Sequence, residues 1–187
     1  YVGDDGHLYQ RVPKETLDYF DRTVLDGANR PKPAWSHYGW KYDDDGILVR
    51  QGTFNERSLV SFDAPDDYFL HCQVLLTDPR VDFKIRFRQE PGEPGTGYWL
   101  GISPEKQHVE LAGTYHSYPR KCDMDFTQPI DIKLFVLGSV VECFINNAYG
   151  FTMRAYDYRK GALTFDAVHS AGEVRIKNLS VKIPTAH

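Results

Sequence analysis

The sequence predicts an all-β fold, a two-sheet antiparallel β-sandwich, and three observations carry that prediction. From Trp35 onwards, short segments alternate apolar and polar residues, as strands do when one face is buried and the other meets water. Clusters that favour turns separate them at close spacing: Asp43-Asp44-Asp45-Gly46, Ala64-Pro65-Asp66-Asp67, Asp78-Pro79 and the PGEPGTG run before Tyr98. Almost no segment carries the 3.6-residue period of a helix.

The elements follow in order. Residues 1–33 read as a connector and residues 34–187 as the sandwich. Within the connector, Leu8 and Tyr9 suggest a short strand. Leu17, Phe20 and Val24 fall at i, i+3 and i+7, a short helical turn, before Asp26-Gly27 and Pro31-Lys32-Pro33 break regular structure. Strands are predicted over Ile47 to Arg50, Ser58 to Phe62, Tyr68 to Leu76, Val81 to Gln89, Tyr98 to Ile102, His108 to Ala112 and Ile130 to Leu137. Four more close the chain. The segment from Ser139 to Asn146 alternates Val141, Cys143 and Ile145 with Val140, Glu142 and Phe144. Phe151 to Tyr156, Ala162 to Ala167 and Glu173 to Ile183 follow. Asn146-Asn147 and Gly150 tolerate the left-handed backbone of tight hairpins, and Ala171-Gly172 supplies the last turn. Phe83, Ile85, Phe87, Leu134, Val136, Val141, Cys143, Ile145, Leu163, Phe165 and Ile176 form the expected core.

Composition narrows the functions. A chain of 187 residues suits one domain or a domain plus a tail. Its formal net charge of -4 gives no basic field for nucleic acid or an anionic membrane. No apolar run approaches the roughly 20 residues that span a bilayer, and the opening YVGDDGH lacks the apolar stretch of a secretory signal. Cys72, Cys122 and Cys143 are odd in number, and two sit among apolar strand residues, so buried free thiols are expected, with one disulfide plus one free thiol as the alternative; the count leans towards a reducing compartment.

Chemistry is to be sought on exposed sheet faces. Lys84, Arg86 and Arg88 are expected to project together from one strand. Glu142 and Arg154 fall on neighbouring strands of a hairpin, opposite the core positions, with Asp166 on the next strand. Carboxylates and guanidinium groups beside an aromatic ring suit a sugar, whose hydroxyls donate to the former and accept from the latter while its C–H faces pack on the ring. A cross-strand salt bridge that sets hairpin register explains Glu142 and Arg154 equally. Tyr98 and Trp99 point to opposite faces of one strand, so one enters the core and the other is a candidate stacking platform. Tyr115 lies in the aromatic, polar segment Thr114 to Arg120, read as a loop that either lines a site or covers a sheet edge. Trp35, His37, Tyr38 and Trp40 either stack on sugar or pack the connector against the sandwich.

Metal and cofactor chemistry is not predicted. The Asp43–Asp45 run lacks a bidentate Glu at the offset a calcium loop needs, and the seven histidines are scattered without metal-ligand spacing. No Gly-x-Ser-x-Gly elbow or phosphate loop is present, and nothing shows that Glu110, Glu142 and Asp166 converge as a glycosidase pair. Asn178-Leu179-Ser180 is a glycosylation sequon placed in a strand.

Two segments carry a family resemblance. The Glu142-bearing strand, the Asn146-Asn147 turn and the Thr152-x-Arg154 strand resemble the end of the C-terminal β-sandwich of glycoside hydrolase family 32, the β-fructosidases. Asp5-Gly6-His7-Leu8-Tyr9-Gln10-Arg11 resembles the passage from that family's catalytic propeller into the sandwich. The resemblance implies a concanavalin A-like or jelly-roll sandwich, related in fold to fructan-binding modules. It also implies a partner, the catalytic domain preceding it in the same polypeptide. The family's propeller motifs, Asn-Asp-Pro, Arg-Asp-Pro and Glu-Cys, are missing in their expected context; Glu142-Cys143 sits in a sandwich strand. The implied role is therefore a non-catalytic accessory domain that binds carbohydrate, fructan or terminal fructose, through Arg86, Arg88, Tyr98, Trp99, Tyr115, Glu142, Arg154 and Asp166, without a cofactor. A purely structural domain that packs on the propeller or mediates oligomerisation, and an independent hydrolase, are the competing readings. The compartment follows the parent enzyme, extracellular for polysaccharide degradation and cytoplasmic for sucrose hydrolysis.

Overall fold

A computed structural model describes residues 10–50, 57–90, 93, 95–168 and 172–185. The Asp5–Tyr9 part of the junction motif, the Leu8–Tyr9 strand, Ala171 of the last turn and part of the PGEPGTG run lie outside the described residues. Fifteen strands form two antiparallel sheets among those described. The chain begins with α1 (Lys14–Tyr19) and β1 (Arg22–Asp26), then β2 (Trp35–His37), β3 (Trp40–Tyr42), β4 (Leu48–Arg50), β5 (Ser58–Phe62), β6 (Tyr68–Leu76) and β7 (Asp82–Gln89). It continues with β8 (Tyr98–Ser103), β9 (His108–Gly113), β10 (Ser117–Lys121), β11 (Ile130–Leu137) and β12 (Val140–Ile145). It ends with β13 (Tyr149–Arg154), β14 (Ala162–Val168) and β15 (Val174–Ile183).

The first sheet runs β13-β12-β11-β6-β15-β4-β3, with β1 also paired to β15. The second runs β10-β9-β8-β7-β14-β5-β2. The alternation read from the sequence becomes the core between them. Phe83, Ile85 and Phe87 of β7 and Leu134 and Val136 of β11 are fully buried, as are Val141, Cys143 and Ile145 of β12. Leu163 and Phe165 of β14 are fully buried too, and Ile176 of β15 almost so. At about 25 cal/mol per Å² of apolar surface, this interior supplies most of the drive to fold. Asn146 and Asn147 turn the β12–β13 hairpin at φ 51° and 52°, and Ala148 N–H closes on the Ile145 carbonyl, the pair of left-handed residues a tight hairpin needs. Cys72, Cys122 and Cys143 are free and buried.

Four details depart from the sequence reading. The helical turn stops at Tyr19, and Val24 belongs to β1, which binds the end of β15. Residues 22–26 therefore extend the first sheet. The segment after Tyr115 is strand β10 on β9; its five residues are all exposed, so no alternation marks it. Arg88 does not project with Lys84 and Arg86. The β7–β14 register slips between Ala162 and Thr164, and Arg88 adopts φ 53°, a bulge that turns its side chain inward. There it donates to the carbonyls of Asp66 at 3.1 Å, Gly138 at 2.6 Å and Tyr158 at 3.3 Å. Arg88 ties three loops at one end of the sandwich.

The outer face of the first sheet is closed over. Phe69 and Phe135 point away from the core and stack at 4.5 Å. Phe20, just past α1, packs on both at 6.1 and 5.7 Å, with Val12, Leu17 and Phe144 completing a second apolar cluster. The chain reaches this face along β13, where Gly150 leaves room for the Gln10 side chain.

Candidate functional site

The outer face of the second sheet is built from the polar positions of its strands. Register places Trp35, Ser61, Thr164, Arg86, Trp99, Ala112 and Ser117 in one row across β2, β5, β14, β7, β8, β9 and β10. The adjoining row holds Asp166, Lys84, Gly101 and Glu110. Side-chain contacts confirm the shared face. Ser61 Oγ lies 2.7 Å from Thr164 Oγ1, and Arg86 Nε donates to Asp166 Oδ2 at 2.7 Å.

Asp166 is fully buried and accepts from two guanidinium groups. Arg57 donates from Nε to Oδ1 at 2.9 Å and from Nη2 to Oδ2 at 2.6 Å; Arg86 supplies the third bond. A buried ion cluster of this kind is weak evidence of stabilisation, because desolvation offsets the attraction. Its visible effect is positional. Asp166 fixes Arg86, whose guanidinium carbon sits 5.3 Å from the centre of the Trp99 ring. Lys84 Nζ lies 4.9 Å from the same centre. The indole N–H of Trp99 donates to Glu110 Oε1 at 2.9 Å, and Ser117 Oγ donates to Glu110 Oε2 at 2.9 Å. Trp99 is thus a half-buried indole held in one orientation from three sides. Burial lowers the basicity of the Lys84 ammonium, and the neighbouring Arg86 cation adds to the effect; the same desolvation lowers that of Arg86.

Beside Trp99 the face is notched. Gly101 lies between Lys84 and Glu110, and a Cβ there would meet Glu110 Cγ at 2.8 Å. The depression measures about 70 Å³ and is lined by Asp82, Lys84, Ser103, Lys106, His108 and Glu110. Its lining offers both acceptors and donors of hydrogen bonds.

The sequence-predicted residues divide between the two sheets. Arg86, Trp99 and Asp166 come together on the second. Tyr98 is 3% exposed and faces the core, its hydroxyl accepting from the backbone N–H groups of Asp157 and Tyr158. Tyr115 is 76% exposed at the tip of the β9–β10 hairpin. Glu142 and Arg154 stand on the opposite side of the molecule, in β12 and β13, and no ion pair joins them. Arg154 instead lies 3.3 Å from Ser139 Oγ. Sequence reasoning missed Arg57, which precedes β5 and meets Asp166 across 109 residues; no local pattern marks such a partner. Among the described residues no group of three His, Cys, Asp or Glu side chains is placed to hold a metal ion. Asp43 is a turn cap: its Oδ1 accepts from the backbone of Asp45 and Ile47, and its Oδ2 from Arg175.

No protein-family model matches the chain, and no curated protein matches it. Solved structures do. A Bacillus subtilis protein of unknown function with a galectin-like fold superimposes with a TM-score of 0.65 at 12% identity, over 90% of this chain and 99% of that one. The carbohydrate-binding module CBM66 from Bacillus subtilis gives 0.59 at 11% identity, over 79% and 94%. A fructosyltransferase from A. japonicus gives 0.54 at 13% identity, over 80% of this chain and 27% of that one. The chain therefore has the sandwich fold of these proteins, and the family 32 resemblance holds at the level of fold.

Proposed function

We propose that this sandwich is a carbohydrate-binding domain that holds a glycan on the outer face of its second sheet, at Trp99 and the notch over Gly101. The observation that carries the reading is the immobilised indole: Arg86, Lys84 and Glu110 hold it in place while it remains half-exposed. A sugar packs its C–H face on the indole and exchanges hydrogen bonds with carboxylates and cations; Glu110 and Asp82 serve as acceptors, Lys84 and Lys106 as donors. A rigid aromatic platform loses little entropy on binding. The fold shared with a carbohydrate-binding module supports the reading. In its finer form the ligand is fructan or terminal fructose, and the domain accompanies a β-fructosidase-like catalytic domain. The resemblance at the Glu142–Arg154 hairpin and the fold shared with part of a fructosyltransferase support this form.

A glycan array carrying levan, inulin and unrelated glucans tests it. At least one glycan binds, with an affinity between roughly micromolar and millimolar, and Trp99→Ala removes that binding while the thermal midpoint stays within a few degrees. Absence of any glycan binding overturns the reading; retention by Trp99→Ala moves the site elsewhere. Incubated with sucrose, inulin and levan, the chain releases no fructose.

A further inference from the structure

The row that carries Trp99 has a second aromatic platform at its far end. Trp35, on the edge strand β2, is 50% exposed. It stacks on His37 at a ring distance of 5.6 Å and an angle of 12°. Register joins Trp35 to Ser61, Ser61 to Thr164, Thr164 to Arg86 and Arg86 to Trp99. That is four inter-strand steps, or about 19 Å at the usual strand spacing. Every position of the row between the two indoles is polar. Thr164 and Asp166 are fully buried and Arg86 nearly so, held by the Ser61–Thr164 contact and the Arg57–Asp166–Arg86 cluster, while Ser61 and the Arg57 side chain stay partly exposed.

An exposed Trp on an edge strand is by itself unremarkable, since single apolar side chains on surfaces are common. Here the indole shares one face and one row with a second indole, with no apolar residue between them. An apolar protein partner would desolvate the partly exposed Arg57 and Ser61 between the indoles, at a cost in free energy. A ligand with a C–H face at each end and hydroxyls between them suits two indoles separated by these polar groups.

We infer that the face binds an extended, linear oligosaccharide laid across the strands, with one sugar unit on Trp99 and a distant unit of the same chain on Trp35. This rests on the proposed carbohydrate-binding function and makes it specific. Internal chain segments are recognised, and affinity grows with chain length until both indoles are covered.

The test is calorimetric titration of the whole chain with levan oligosaccharides from monosaccharide to hexasaccharide, and with a matched cello-oligosaccharide series. In the series that binds, affinity rises by about tenfold or more from disaccharide to hexasaccharide, the gain one further stacked ring supplies. Trp35→Ala removes that rise and leaves disaccharide affinity within about twofold, as expected for a contact short ligands never reach; Trp35→Phe, which keeps a ring, restores most of it. A flat length dependence, or a Trp35→Ala loss equal at all lengths, overturns the inference and leaves the single-site function standing. Failure of both series to bind at any length overturns the inference, and overturns the function with it when no glycan on the array binds either.

Discussion

On the outer face of the first sheet, Phe69, Phe135 and Phe144 point away from the core, and Phe20 closes over them from the segment after α1. On the outer face of the second sheet the corresponding outward positions hold Lys84, Arg86, Trp99, Glu110 and Asp166, and Trp99 stays half-exposed. Both faces come from the same strand alternation. Three aromatic side chains on one face make a patch that water tolerates poorly, so the chain spends residues 12–20 covering it. The other face is rigid for a different reason: its carboxylates and cations satisfy one another, and the Trp99 ring is pinned by them. Among the described residues this face is held by its own ion pairs, and Trp99 stays half-exposed on it.

The largest expected effect falls on the covered face. Phe20 is 2% exposed, and Phe20→Ala leaves Phe69 and Phe135 facing a void. A loss of about 3 kcal/mol is expected, at the low end for a buried Phe because the cluster is small and lies at the periphery. Chemical denaturation measures it, and an apolar fluorescent dye should bind the variant more strongly. Glycan affinity on the second sheet stays unchanged. A loss below about 1 kcal/mol would mean that the segment after α1 is not what seals this face.

The contrast between the faces explains what was legible in the sequence. The period of two exposed the strands and the core list, because burial on one side imposes alternation on every strand. It could not expose β10, whose residues are all exposed and include Pro119, nor β1, whose burial is confined to one end. Outward positions were identified as polar, but their grouping was not. Lys84, Arg86 and Arg88 look equivalent at a period of two, and one bulge sends Arg88 into the interior. Glu142 and Asp166 look alike as carboxylates in strands, yet they lie on different sheets. The Asp166 cluster joins residues 80 and 109 apart, and Phe20, before the first strand, meets Phe135 in β11. Such meetings depend on strand order, which period alone does not encode.

A smaller effect sharpens the comparison at the rim of the covered face. Asp131 Oδ1 lies 2.8 Å from His71 Nε2, and Lys133 pairs with its other oxygen. His71 in turn stacks on Phe69 at 6.3 Å. The hydrogen bond to His71, then that to Lys133, holds the Asp131 carboxyl down at about 2, against desolvation. A folded-state value below the unfolded one of about 3.9 means that the stabilisation is fully present above roughly pH 5. It fades as the pH falls from there towards 2. Its size is on the order of 2 kcal/mol. Asp131→Asn should therefore be less stable than the parent at pH 6, with the gap closing near pH 2. A gap that does not change with pH would show that the loss comes from packing and not from charge.

The smallest effect is the one that separates the two faces most cleanly. Arg154 is exposed, its guanidinium donates to Ser139 Oγ, and among the described residues no ion pair links it to Glu142. Arg154→Ala should change stability by less than about 0.5 kcal/mol, as for surface positions without a buried partner. If the second sheet is the binding face, glycan affinity also stays within about twofold, since the two sites share no contacts. Trp99→Ala, by contrast, removes binding. The same calorimetric titration reads both variants, and circular dichroism confirms that each is folded. A folded Arg154→Ala variant that loses glycan binding would transfer the site to the Glu142–Arg154 hairpin. The immobilised Trp99 would then be a structural tie, and the segment that covers Phe69 and Phe135 would lie beside the binding face.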